Sequence, residues 1–144
     1  MSELLNLTRI GNPILRQECR ELTGDEILGD TVQALIRNMK YTLAQAQLGV
    51  ALAAPQVGEG IALSVIGIKP TPNRPELKKF ETVIINPEIS EKHGELKPMW
   101  EGCVSCGKGD DTLFALVPRY EEITLRWTNE KAHSREELIG GFVA

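Results

Sequence analysis

Histidine is almost missing from this chain: His93 and His133 are the two in 144 residues. Each stands alone among polar and charged neighbours, and each reads as an exposed surface side chain. A metal site built on two imidazoles one helical turn apart is therefore not written in this sequence. Cysteine is scarce as well, with Cys19, Cys103 and Cys106 making an odd count of three. An odd count without a secretory leader argues against a disulfide framework and leaves the thiols as ligands, nucleophiles or small buried groups. The start, Met1-Ser2-Glu3-Leu4-Leu5, carries an acid early and lacks the basic, apolar, small-residue order of a signal peptide. A transit peptide would be Arg-rich and poor in acids. No apolar run approaches the ~20 residues of a membrane span. Basic blocks are missing too and the net charge is −4, so neither DNA nor an anionic membrane is an indicated partner. A cytoplasmic location is expected. Aromatics supply 5% of the residues, which leaves a core built mainly from aliphatic side chains.

What is present suffices for one core, at 42% hydrophobic residues, and residues 1–144 are expected to fold as a single domain. Thr8 to Arg20 mixes Gly, Asn and Pro with isolated apolar residues; it is expected to wrap the surface and pin Ile14 and Leu15 into the core. Thr23-Gly24-Asp25-Glu26 offers a cap and acidic first-turn residues for a helix. From Thr31 to Gln47, Val32, Leu35, Ile36, Met39 and Leu43 follow three-and-four spacing, which predicts a long helix stopped by Gly49. Ile61 to Ile68 is apolar and β-branched, hence a strand, and Pro70, Pro72 and Pro75 then mark a loop. Thr82 to Ile85 reads as a strand closed by Asn86-Pro87, Lys92 to Glu95 as a turn, and Trp100 to Ser105 as extended. Gly107 to Asp111 reads as a loop tip, and Leu113 to Val117 and Glu122 to Trp127 as strands. Leu138 to Ala144 fits a last strand or the first turn of a helix. One long helix packed with short, mostly antiparallel strands is an α+β fold.

Two stretches carry chemistry. Gly49-Val50-Ala51-Leu52-Ala53-Ala54-Pro55-Gln56 is almost all small residues, so backbone can approach backbone or ligand closely, and it ends in one amide held behind a proline. Such a wall suits a site that grips a peptide by its main chain. It equally suits a tight packing corner where Gln56 satisfies nearby backbone. The second stretch is Trp100-Glu101-Gly102-Cys103-Val104-Ser105.

Together the two resemble the first and second motifs of the peptide deformylases, Gly-x-Gly-Leu-Ala-Ala-Pro-Gln and Glu-Gly-Cys-Leu-Ser. The likeness extends to Arg9-Ile10-Gly11-Asn12-Pro13-Ile14-Leu15-Arg16, to Ile85-Asn86-Pro87-Glu88-Ile89, and to Leu116-Val117-Pro118-Arg119-Tyr120 and Gly140 to Ala144. It implies hydrolytic removal of the formyl group from the formyl-methionine of nascent peptides, near the ribosome, with a divalent metal: Fe2+, or Zn2+, Ni2+ or Co2+ in its place. Cys103 is then a metal ligand, against the alternative of a buried free thiol. Gln56 and the Val104 N–H are the oxyanion donors. Gly49, Val50, Ala51 and Gly102 bind substrate, Val50 and Ala51 pairing with it as an added strand. Glu101 and Arg119, each a solvated charge if read alone, match a family ion pair that is expected to be buried.

Three departures bear on this. Ala51 stands where the first motif has its second Gly, which costs strain if φ is positive there and clearance if it is not. The third family motif, His-Glu-x-x-His, is not in the sequence. The resemblance then implies that metal binding by this chain is weak or absent. The chain is expected to be truncated, or else a deformylase-like module that binds peptide ends without hydrolysis. Without that helix, apolar core surface would be exposed and is expected to be covered by self-association or by rearrangement. Finally, Cys103-Val104-Ser105-Cys106 is a C-x-x-C, half a zinc knuckle or a redox pair. A knuckle lacks its second ligand pair, and a thioredoxin-like motif lacks its βαβ context.

Overall fold

The computed structural model describes residues 1–46, 49–72, 74–107 and 111–141. Thr23 accepts from the Glu26 N–H while the Glu26 carboxylate accepts from the Thr23 N–H, a reciprocal cap that opens α1 (Gly24–Leu28). The long helix α2 (Asp30–Gln45) follows, burying Val32, Ile36, Met39 and Leu43 on one face as their spacing requires. Its C-cap is Ala46 in extended conformation, not Gly49, and Gln47, the expected end, lies outside the described residues. Gly49 serves close approach instead: a Cβ there would stand 3.0 Å from Leu43 Cδ1 and 3.1 Å from Ala46 Cβ.

β1 (Ala51–Ala53), β2 (Leu63–Ile68), β3 (Phe80–Gly102), β4 (Phe114–Thr128) and β5 (Ser134–Gly140) form one antiparallel sheet in chain order, with β1 at an edge. The class is α+β, as expected, but the strands are not uniformly short. β3 has 23 residues and β4 has 15. Asn86-Pro87 does not close a strand. Asn86 takes a φ of 51°, the register slips between Ile85 and Glu88, and β3 continues. The Asn86 amide imitates a strand, accepting from Leu22 N–H at 2.9 Å and donating to the Leu22 carbonyl at 2.8 Å. Lys92 to Glu95 is likewise a bulge within β3 and not a turn, with Gly94 at φ 74°. The two segments read as separate strands, from Leu113 and from Glu122, merge into β4. Leu138 to Gly140 belongs to β5, and Phe142 to Ala144 lie outside the described residues, as do Lys108 to Asp110 of the loop tip. Bulges bend a strand and raise its twist, and a curved β3 is what returns its far end to the start of the sheet.

α2 packs on the face carrying Leu52, Leu63, Val65, Val83 and Ile85. Side chains alternate along a strand, so Ile84 joins Leu125, Trp127 and Ile139 in a smaller cluster on the other face. The amino-terminal segment reaches the core through Leu5 and Leu7. Ile14 and Leu15 are half-buried in a 3-10 turn that carries no buried residue, because Asn12 and Pro13 start that turn on the surface.

Candidate functional site

The first small-residue stretch becomes edge strand β1 and a 3-10 turn, Ala54–Val57, closed by Gly58 at φ 90°. Gly67 N–H donates to the Val50 carbonyl at 2.8 Å. Val50 and Gly67 are thus a hydrogen-bonded pair, and the alternation of an antiparallel ladder turns the N–H and C=O of Ala51 away from β2, to the open edge. The carbonyl of Val50 is taken within the sheet, and Ala51 is the residue whose main chain faces outward. Ala51 is exposed and has no positive φ, so its methyl group brings no backbone strain and bears on clearance alone.

Gln56 is aimed. Its Oε1 accepts from Ala53 N–H at 2.8 Å, which directs Nε2 to Cys103 Sγ at 3.3 Å and Ser105 Oγ at 3.4 Å. Both readings of this stretch hold together: Gln56 satisfies a nearby backbone donor, and it presents its amide protons to the thiol of the second motif.

Cys103 begins a turn in which Cys106 N–H donates to the Cys103 carbonyl at 2.9 Å, with Ser105 buried inside it. The amino-terminal segment ties this turn to the first motif. Thr8 N–H donates to the Gln56 carbonyl at 2.8 Å and Ile10 N–H to the Ser105 carbonyl at 2.9 Å. Between them, Arg9 Nη1 donates to the Val104 carbonyl at 2.8 Å and the Gly107 carbonyl at 2.7 Å. Sequence reasoning missed this positioning role of Arg9. Its partners are main-chain carbonyls far along the chain, which leave no residue-type pattern to find.

Arg119 grips Glu101 with two parallel bonds, Nε to Oε1 at 2.6 Å and Nη2 to Oε2 at 2.8 Å. The expected burial is corrected: the two side chains are 47% and 40% exposed, because they stand on the part of the β3–β4 hairpin whose neighbours are themselves exposed. The hydrogen bonds from Arg119 hold the Glu101 carboxyl below the ordinary carboxylate range, against a smaller opposing effect of burial. Gly102 leaves room for the Phe114 ring, whose Cε1 would lie 2.5 Å from a Cβ at that position. His133 is exposed as expected, whereas His93 is half-buried and shares a 2.9 Å hydrogen bond with Thr124 Oγ1.

Among the described residues no group of three His, Cys, Asp or Glu side chains converges to hold a metal ion. Cys103 is a single ligand, and the described residues do not by themselves fit a divalent ion, which needs three or more. A cavity of about 670 Å³ lies away from this chemistry, between the end of α2 and Trp127. Of the site residues it touches Gly49 alone, and its charged lining mixes Lys40, Lys69 and Arg135 with Glu81, Glu130 and Glu137.

The comparisons with known proteins agree with the geometry. The family model described as polypeptide deformylase matches residues 4–144. Peptide deformylase 2 of Nostoc sp. is 34% identical over 143 residues, covering 99% of this chain and 76% of the relative. A peptide deformylase of Leptospira biflexa is also 34% identical, covering 96% of this chain and 75% of its own length. Among solved structures, the Met-Ala-Ser-bound class I type b peptide deformylase of Acinetobacter baumannii superposes with a TM-score of 0.88 at 26% identity, over 99% of this chain and 87% of that one. A peptide deformylase of Synechococcus elongatus in complex with actinonin gives 0.80 at 31% identity, over 97% and 68%.

Proposed function

Because this chain belongs to the polypeptide deformylase family of metal-dependent hydrolases, we propose that its Gln56–Cys103 cleft receives the formyl-methionine end of a nascent peptide. One observation carries the reading: the Gln56 carboxamide is clamped by Ala53 so that its N–H bonds are preset beside the Cys103 thiol. As the formyl carbon becomes tetrahedral, charge builds on its oxygen, and Gln56 Nε2 and the Val104 N–H stabilise it there without reorganising. The peptide main chain adds as a strand to the open edge of β1 at Ala51. The Met-Ala-Ser complex of the Acinetobacter relative supports a peptide in this cleft. Gly49 and Gly102 set the cleft's walls by close packing on Leu43 and Ala46 and on Phe114, and Arg119 holds Glu101 and with it the end of β3.

Cys103 supplies one thiolate ligand. A divalent ion, Fe2+ first and Zn2+, Ni2+ or Co2+ in its place, would bring an activated water when bound. The described residues offer it Cys103 alone, so this chain by itself holds it weakly. A cytoplasmic setting close to the ribosome belongs to the same proposal; no described helix is long and apolar enough to cross a membrane. The exposed Trp100, Phe114 and Leu116 are the surface through which copies would self-associate. A second reading, a module that holds peptide ends without hydrolysing them, is favoured by one contrast. The peptide edge and the amide donor are in place, while the ligand set among the described residues is not.

The test is turnover and binding of a formyl-methionyl peptide by the 144-residue chain with added Fe2+ or Co2+. Turnover stays at background, while calorimetry detects the peptide and Gln56→Ala removes the preference for its formylated form. In a version extended by a His-Glu-x-x-His segment and active, Gln56→Ala lowers kcat by ~10²–10³. Metal-dependent turnover by the short chain would overturn the ligand account, and failure to bind any formyl peptide would overturn the cleft.

A further inference from the structure

Nothing in the deformylase reading uses Cys106, yet the structure gives it a defined place. The hydrogen bond from its N–H to the Cys103 carbonyl closes a turn through Val104 and Ser105. Such a turn brings its first and fourth Cα atoms within about 7 Å. A disulfide needs a Cα separation of roughly 4.4–6.8 Å, a range that a turn of this kind overlaps. The two thiols interact directly. The Cys106 side chain is in hydrogen-bond contact with that of Cys103. The turn is also held from outside. Arg9 binds the carbonyls of Val104 and Gly107, Ile10 binds that of Ser105, and Leu113 N–H binds that of Cys106 at 2.8 Å. Both cysteines are half-buried, not sealed, so a small reagent can reach them. The chemistry needs this turn and this contact, not the βαβ setting of a thioredoxin.

We propose that Cys103 and Cys106 form a dithiol–disulfide site whose oxidant is a small organic disulfide. The Cys103 thiolate attacks one sulfur of that disulfide, and the other sulfur leaves as a thiolate with the electron pair. The Cys106 thiolate then attacks the Cys103 sulfur of the mixed disulfide and expels the second thiolate. The chain gives up two protons and two electrons, and the small disulfide is reduced to two thiols. Cys103 is the attacking partner because the Gln56 amide faces its sulfur at 3.3 Å and stabilises a thiolate there, which leaves Cys106 to resolve the mixed disulfide. The bridge itself stands on the turn alone. Its consequence rests on the deformylase reading: a disulfide sulfur is no thiolate ligand, so oxidation withdraws Cys103 from the site and leaves the Gln56 amide and the β1 edge intact.

The experiment equilibrates the full chain in glutathione buffers from reduced to oxidised, traps free thiols with iodoacetamide, and reads intact mass and peptides. Two of the three thiols are lost together into a Cys103–Cys106 bridge, with Cys19 alkylated throughout. Cys19→Ser leaves the bridge unchanged, and Cys106→Ser stops at glutathione on Cys103. Should Cys106→Ser not fold, Cys19→Ser decides alone. Alkylation of both Cys103 and Cys106 in oxidised glutathione, glutathione on each without a bridge, or a bridge to Cys19 overturns the proposal. Formyl-peptide binding, measured in parallel, separates the two readings. A bridge without peptide binding removes the cleft and keeps the dithiol site; peptide binding without a bridge does the reverse.

Discussion

β3 runs through two very different surroundings. At Val83 to Ile85 it is buried on both faces, with α2 on one side and the Trp127 cluster on the other. Past the Asn86 bulge charged side chains alternate with large apolar ones that are left uncovered: Trp100 is 67% exposed and Phe114, near it on β4, is 56% exposed. Both regions carry large apolar side chains, and they differ in cover. The covered half fixes β1 and Gln56 by packing. The uncovered half delivers Cys103 to Gln56 and holds it there by hydrogen bonds from the amino-terminal segment. The cleft thus has one wall set by a core and another set by a staple.

The largest test of this contrast is a pair of truncations. Met39→Ala, in the fully buried contact of α2 with the sheet, costs about 2–5 kcal/mol in urea unfolding. Trp100→Ser stays within about 0.5 kcal/mol and, with Phe114→Ser, lowers any self-association seen in sedimentation. Equal losses of stability would erase the difference between the halves. Next comes Glu101→Gln. The bridge to Arg119 is half-exposed, so its loss costs no more than about 1 kcal/mol and less in high salt. The Glu101 pKa is lowered by folding, so its contribution is present above the ordinary carboxylate range and fades as pH falls through the lowered value. Urea midpoints of the parent and of Glu101→Gln therefore differ at neutral pH and converge in acid. Divergence in acid would place this pair in a covered setting unlike the rest of its hairpin. The smallest effect belongs to Ala51→Gly. No strain is relieved, a strand glycine costs about 0.5–1 kcal/mol, and peptide affinity is equal or higher because clearance improves. Weaker peptide binding would show that the alanine methyl is a contact and not an obstruction.

The parts legible in the sequence are those set by local rules. The α2 periodicity and the Thr23–Glu26 cap follow from residue types at short spacing, whereas the approach of Gln56 to Cys103, 47 residues apart, was legible only as what the resemblance of the two motifs implies. The strand lengths were not legible. Asn86 and Gly94 signal positive φ, and positive φ serves a turn and a bulge alike. Pairing with β4 decides between them, and that pairing is set by contacts far away in sequence. The outward turn of Ala51 in place of Val50 depends on register against Gly67, which no strand announces alone. The half-exposure of the Glu101–Arg119 pair depends on what covers a hairpin, and composition is silent on cover.

The Arg9 staple also orders events in time. Its two carbonyl partners lie 95 and 98 residues further along the chain. A contact of that separation forms only after the segments between have found their places, so it is a late and slow event in folding. During synthesis, α2 and β1 can assemble while Arg9 and Ile10 wait for carbonyls that lie far along the chain. Gln56 meets Cys103 when the turn at 103–107 has been made and captured, which sets completion of the cleft well behind formation of the core it leans on.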